Sequence, residues 1–316
     1  LALDGEALDL LRCPASGERL QRSGAELVTE SGAYRYALTA SGIPLFAERF
    51  ISADGRVQQS HYDKVANAYL ESLTYPHTLE YTDYLDRAFL SRVPDDMGVV
   101  AEICCGRGEA FRLLGDRVRK GVGVDVSVSM LEAARTGFDA GRYTFVQGDA
   151  TMLPIAGATF DNVVMFGGIH HVNDREKLFS EVARILKPGG RFYWREPVSD
   201  FFLWRWLRAI IYRLSPALDH ETERPLIYDE TVPVLERAGM RLADWGTYGF
   251  LGFCIFMNSD VLVFNRAFRY VPGIRAVTRL AARFDDAVVH IPGLHRAGLQ
   301  AIGFASKPRA AEARTP

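Results

Sequence analysis

Between Gly98 and Pro197, apolar runs of strand length alternate with stretches of helical spacing. "GVVAEICC" opens the series, and "GVGVDV", "YTFVQGD", "FDNVVMFG" and "RFYWREP" follow. The first is a continuous apolar run, suited to a strand buried on both faces of a parallel sheet. The intervening stretches are "EAFRLLGDRV", "SVSMLEAAR" and "REKLFSEVARILK", the last stopping at "PGG". Ser127 is placed to cap the second of these helices, and Ser129–Glu132 has the spacing of a capping box. Alternation at this pace predicts an α/β fold built on a doubly wound, Rossmann-like, mostly parallel sheet, with its ligand at the carboxyl ends of the strands.

Two later segments, "RLADWGTYGF" and "LQAIGFASKP", bring the expected strand count to seven. About 50 residues of helical spacing separate them, too many for a tight hairpin. Residues 198–240 and 250–298 are read as lid insertions over the site. Upstream, residues 1–51 carry short alternating stretches split by Gly and Ser, the texture of a small β-rich module with hairpin turns. Residues 52–60 read as a linker, and 61–316 as the main domain. The chain is 48% hydrophobic, with a net charge of −2 and four scattered cysteines. Near-neutral charge argues against a surface built for nucleic acid, and the cysteines suggest a reducing cytoplasm rather than a disulfide framework.

The first strand leads into "EICCGRGEA", where Gly106 and Gly108 let backbone approach a ligand. Asp125 ends the next strand, about 20 residues on, where a carboxylate can take both hydroxyls of a ribose. That much also fits a nicotinamide-binding fold. Together, Glu102–Gly108, Asp125, "GDATMLP" and "LKPGGRFYWREP" resemble the class I S-adenosylmethionine-dependent methyltransferases, in particular the group that includes the ubiquinone and menaquinone biosynthesis enzymes. The resemblance covers residues 61–196. It implies S-adenosylmethionine as cofactor and a set of roles. Glu102 orients the turn, Gly106 lies against the methionine part, and Asp125 binds the ribose. Val126 flanks the adenine, whose amino group meets Asp149 beside the backbone of Ala150, and Cys104 and Met130 complete the cofactor-binding set. Phe166 and Gly167 lie near the sulfonium, and Tyr62 and Tyr69 close over cofactor or substrate. The pattern ordinarily has glycine where Cys104 stands. Asp125 and Asp149 can also be read as turn or cap acids, Tyr62 and Tyr69 as helix-packing aromatics, and both neighbouring cysteines as small buried hydrophobes.

A methyl group on a sulfonium is already activated, so alignment and water exclusion do most of the catalytic task. A hydroxyl acceptor gains from a base, for which His170 and His171 are the first candidates and Glu196 the second, although a histidine there can simply brace the loop. "FFLWRWLRAIIYRL" is rich in aromatics, with Arg205, Arg208 and Arg213 confined to one arc. Residues 261–316 hold nine Arg and Lys against three acids. The aromatic stretch reads as a hydrophobic substrate pocket, a membrane-surface helix or simple packing against the sheet, and the basic excess as an anion or membrane contact or a solvated helix face. The reading taken is a small, largely hydrophobic substrate methylated at a hydroxyl oxygen, with peripheral membrane contact. An rRNA or tRNA base methyltransferase, or a cyclase-like or binding protein on the same fold, are the alternatives. The N-terminal "LRCPASGERL" resembles the zinc-ribbon module that activates some methyltransferases. Only Cys13 remains of its paired ligands and Ser16 holds the second position, so no metal is expected. The module can shape the substrate entrance or mediate a homodimer.

Overall fold

Five parallel strands form the centre of the molecule: β4 (Gly98–Ile103), β5 (Val118–Asp125), β6 (Tyr143–Gln147), β7 (Phe160–Phe166) and β8 (Leu186–Pro197). The computed structural model describes residues 3, 5–60, 74–207, 224–257 and 263–309. The sheet is completed by β9 (Arg241–Tyr248) and β10 (Gln300–Ser306), in the order β6-β5-β4-β7-β8-β10-β9, with β10 antiparallel to both its neighbours. This is the seven-stranded, doubly wound sheet that the sequence predicts. The order reverses between β4 and β7, so a crevice opens beyond their carboxyl ends.

The α-helices described over their whole length are α1 (Gly5–Leu10), α2 (Pro76–Leu90), α3 (Glu109–Leu114), α4 (Val128–Thr136), α5 (Arg175–Ile185), α6 (Tyr228–Arg237), α7 (Leu251–Met257) and α8 (Ile274–Val289). Ser127 caps α4 through its hydroxyl, as the sequence suggests. The capping box does not form: Glu132 instead accepts a hydrogen bond from Ser41, 91 residues upstream. α5 ends at Ile185, and the following "LKPGG" is already β8, which pairs with Phe160 before a register shift. Pro188 cannot continue a helix, and Gly189 turns the backbone at φ +83°.

β1 (Leu20–Ser23), β2 (Glu26–Thr29) and β3 (Arg35–Ala37) form a small antiparallel sheet. It is fastened to the main sheet by backbone. Gln147 donates to the carbonyl of Pro44 at 2.9 Å and accepts from the amide of Phe46 at 3.1 Å, so the chain covers the edge strand β6. Leu11, Leu27, Tyr36 and Phe46 share a buried core with Ile103, Val124 and Val146 from the main sheet. Cys13 is internal to the module, its Sγ 3.0 Å from the Tyr36 hydroxyl. Residues 53–60 are helical and lead away from this junction.

On the far side, buried Asp285 of α8 accepts from Tyr81 of α2 and from the amides of Phe250, Gly252 and Phe253. One carboxylate thus ties α2, α7 and α8 together. His77, at the start of α2, is fully buried among Tyr75, Phe256 and Phe268. Neither ring nitrogen has a hydrogen-bond partner.

Burial holds the His77 pKa below its usual 6.5. The folded chain therefore binds this proton less readily than the unfolded one. The contribution is fully present above the unfolded pKa and is lost as pH falls through that value towards the folded one. For His77→Phe, urea unfolding is expected to show stability that falls less than wild type between about pH 8 and about pH 5. Parallel losses would dismiss His77 as the titrating group.

Candidate active site at the sheet switch point

β4 ends in a turn built from unusual backbone. Cys104 has φ +52°, Gly106 +50° and Gly108 +79°. A left-handed conformation costs a residue with a Cβ roughly 1–2 kcal/mol, so Cys104 is held there by its surroundings. Its side chain packs against Gly168, where a Cβ would stand 2.6 Å from the Cys104 Cβ and 3.0 Å from its Sγ. The turn after β4 and the loop after β7 therefore touch across the switch point. Space at Gly108 is limited as well: a Cβ there would meet the Phe138 ring at 2.7 Å.

Carboxyl groups fix both loops, Glu102 and Glu196 buried and Asp125 partly so. Glu102 accepts from the amides of Ala110 and Phe111 at 2.8 and 2.9 Å, holding the first turn of α3 against β4. Its burial, with Glu109 nearby, raises its pKa well above the usual range. Asp125 accepts from the amides of Gly106 at 2.8 Å and Ser127 at 2.9 Å, joining the first two strand ends. Glu196, fully buried, accepts from the amides of Gly168 at 2.7 Å and Ile169 at 2.9 Å. Its other oxygen lies 2.9 Å from Nδ1 of His170. That contact places the ring proton on Nδ1 and leaves Nε2 as the basic nitrogen of the neutral ring. The His170 and His171 rings lie 3.8 Å apart, centroid to centroid.

Asp149 is buried, and its carboxylate meets four donors. Thr151 supplies its amide at 2.8 Å and hydroxyl at 2.6 Å, and Ser52 supplies its amide at 2.8 Å and hydroxyl at 2.6 Å. An adenine amino group would have to share this set. Ser52 belongs to the segment read from sequence as a linker. The same segment donates from Gln59 to the Val126 carbonyl at 3.2 Å, and Asp54 accepts from Asn173. Residues 52–60 thus contact the loops after β5, β6 and β7. Ser52 also accepts from the Gly55 amide at 3.0 Å, the beginning of a capped turn. A serine three residues before a glycine was the available signal, and it is a weak one.

Among the remaining candidates, Met130 and Ala150 are buried. The amide of Gly167 donates to the backbone carbonyl of Arg195, and the Arg195 guanidinium lies 4.2 Å over the Phe166 ring. Tyr62, Tyr69, Arg208 and Arg213 lie outside the described residues. Burial pushes the thiols of Cys104 and Cys105 well up, and nearby Asp125 adds to it, which makes both poor nucleophiles at neutral pH.

Residues 101–194 match the family described as a methyltransferase domain. The matched stretch contains the turn after β4, Asp125, Asp149 and the loop carrying His170, whereas Glu196 and Ser52 lie outside the match. The chain is 31% identical over 150 residues to a demethylmenaquinone methyltransferase of Symbiobacterium thermophilum, covering 44% of this chain and 59% of that one. An O-methyltransferase of Pyrenophora dematioidea is 32% identical over 106 residues, covering 32% and 40%. The chain thus spans less than two thirds of these relatives. A chain from the complex between the Haloferax volcanii Trm112 methyltransferase activator and a methyltransferase has the same fold. The TM-score is 0.53 at 21% identity, over 79% of this chain and 97% of that one.

The contact between Cys104 and Gly168 can be tested by mutation. Gly168→Ala is expected to cost about 1–3 kcal/mol in thermal or urea unfolding, and Cys104→Gly in the same protein to restore most of it. A double variant no more stable than Gly168→Ala would mean that the clash lies elsewhere.

Proposed function

We propose that the protein is an S-adenosylmethionine-dependent methyltransferase acting on a small, largely hydrophobic metabolite at a hydroxyl oxygen. The observation that carries this reading is the acidic character of the switch point. Asp125 ends β5, Asp149 follows β6 by two residues and Glu196 is next to last in β8, so all three carboxyl groups stand at the carboxyl ends of the strands. A sulfonium and an amino group, both cationic, suit such surroundings. The donor set fits as well, since a ribose offers hydroxyl donors and Asp125 stands at the end of β5 to accept them. A carboxylate oxygen has more than one lone pair, so an acid that ties two loops can also meet a ligand.

In this reading Asp125 holds the ribose, Gly106 and Cys104 border the methionine part, and Val126 and Met130 flank the adenine. Ala150 offers backbone beside Asp149, and Phe166 and Gly167 border the reacting centre. The cofactor, when bound, supplies an activated methyl group. Nε2 of His170 takes the acceptor's hydroxyl proton, and Glu196 balances the imidazolium that results. The quinone and O-methyltransferase names of the relatives support an apolar acceptor bearing oxygen. Residues 1–51 form an attached module whose following segment, 52–60, completes the site from the side of Asp149. This gives the module a role like that of a methyltransferase activator, supplied within one chain. Apolar acceptors partition into lipid, so the enzyme works beside a membrane surface.

Calorimetric titration with S-adenosylmethionine is expected to show binding, weakened more than about tenfold in Asp125→Ala, the loss of a charge-assisted bond pair. Undiminished affinity would remove the ribose assignment. Once an acceptor is found by product analysis, His170→Ala is expected to lower kcat by about 10²–10⁴ while leaving cofactor affinity within a few-fold. Glu196→Gln, which keeps size but loses charge, is expected to move the pH dependence of kcat. An unshifted profile with unchanged kcat would confine Glu196 to holding the loop.

A further inference from the structure

Helix α8 is amphipathic in an unusual sense, because a large part of its outer surface is apolar. Its inner face, with Ile274, Thr278, Ala282 and Asp285, is buried against the fold. Val277, Leu280 and Phe284 form a second apolar stripe at i, i+3 and i+7, and they are 52%, 69% and 53% exposed. This stripe runs beside α7, since a Cβ on Gly252 would stand 3.0 Å from the Cβ of Ala281. α7 adds two exposed residues of its own, Leu251 and Ile255. Apolar side chains grouped in this way on a surface mark an interaction site more often than scattered ones do.

A third stripe decides what kind of partner fits. Arg275, Arg279 and Arg283 recur at i, i+4 and i+8 along the side of α8 that faces α2, where Arg279 pairs with Glu80 at 2.7 Å. From Val263 to His290 there are five arginines, completed by Arg266 and Arg269. Only Asp285 and Asp286 oppose them within that stretch, and Asp285 is buried. An apolar stripe alongside a cationic stripe is the pattern of a helix that lies in the plane of a membrane interface, its apolar side in the acyl boundary and its arginines among anionic headgroups. No helix among the described residues is long and apolar enough to cross a membrane.

We infer that the outer face of α8, extended by Leu251 and Ile255 of α7, docks on an anionic lipid bilayer. This rests on the lipid-surface reading above and gives that reading a location. It sets the protein on the membrane through the α7–α8 side, which Asp285 and Tyr81 join to α2.

Co-sedimentation of the full chain with vesicles tests it without any turnover. Vesicles of phosphatidylcholine alone are compared with vesicles in which about a third of the lipid is phosphatidylglycerol. The expected result is binding to the anionic vesicles, weakened by high salt and by R275E/R283E, and reduced at least about tenfold by L280E/F284E. Circular dichroism and S-adenosylmethionine titration are run on each variant, so that misfolding or a failed cofactor assignment is read separately from lost docking. Three results would overturn the inference: no sedimentation with anionic vesicles; binding that L280E/F284E leaves intact; or a concentration-dependent dimer that L280E/F284E dissociates while vesicle binding is absent, which would make the face a contact between copies.

Discussion

The backbone exchange between Gln147 and the Pro44–Phe46 segment holds the two parts of the molecule in one piece. It closes the edge of the main sheet, merges the N-terminal module into the core beneath it, and fixes where the chain leaves that module. Ser52 is only six residues beyond Phe46, and the pairing delivers it to Asp149. A module attached by side chains alone could tilt. One attached through main-chain hydrogen bonds at a sheet edge has its register set. The composition of the site therefore depends on a junction that contains no site residue.

Within the site, carboxylates act mainly as collectors of backbone amides. Glu102, Asp125 and Glu196 each bind two or more N–H groups of a turn or loop, and Asp149 binds those of Ser52 and Thr151. Such bonds offset the cost of burying charge and make the loops rigid. Asp125, Asp149 and Glu196 also gather acidic groups at the mouth of the sheet. The same groups thus shape the crevice and bias it towards cationic ligands.

Much of this was legible in the sequence because it follows from local pattern. Continuous apolar runs marked the parallel strands, and the interval between Gly106 and Asp125 marked the switch point. The two late strands were visible as well, since "RLADWGTYGF" and "LQAIGFASKP" have strand character on their own. What escaped was non-local. Nothing near Ser52 points to Asp149, 97 residues away, and nothing near Glu132 points to Ser41. Gly108 was legible as a special residue, but its contact with Phe138 was not, because that ring arrives from a different element. Asp285, which joins three helices, sits in a segment whose charge pattern suggested only a basic surface.

The position of β10 has a consequence for how the chain is made. β9 pairs with β10, and β10 stands between β9 and β8. During synthesis β8 and β9 emerge long before Gln300–Ser306, with α7 and α8 between them. Until then β8 shows an open edge and β9 lacks the neighbour that seats it in the sheet. Such edges invite pairing with other chains. Closing the sheet through a strand this far downstream makes its assembly depend on contacts distant in sequence, the kind that slow folding in general.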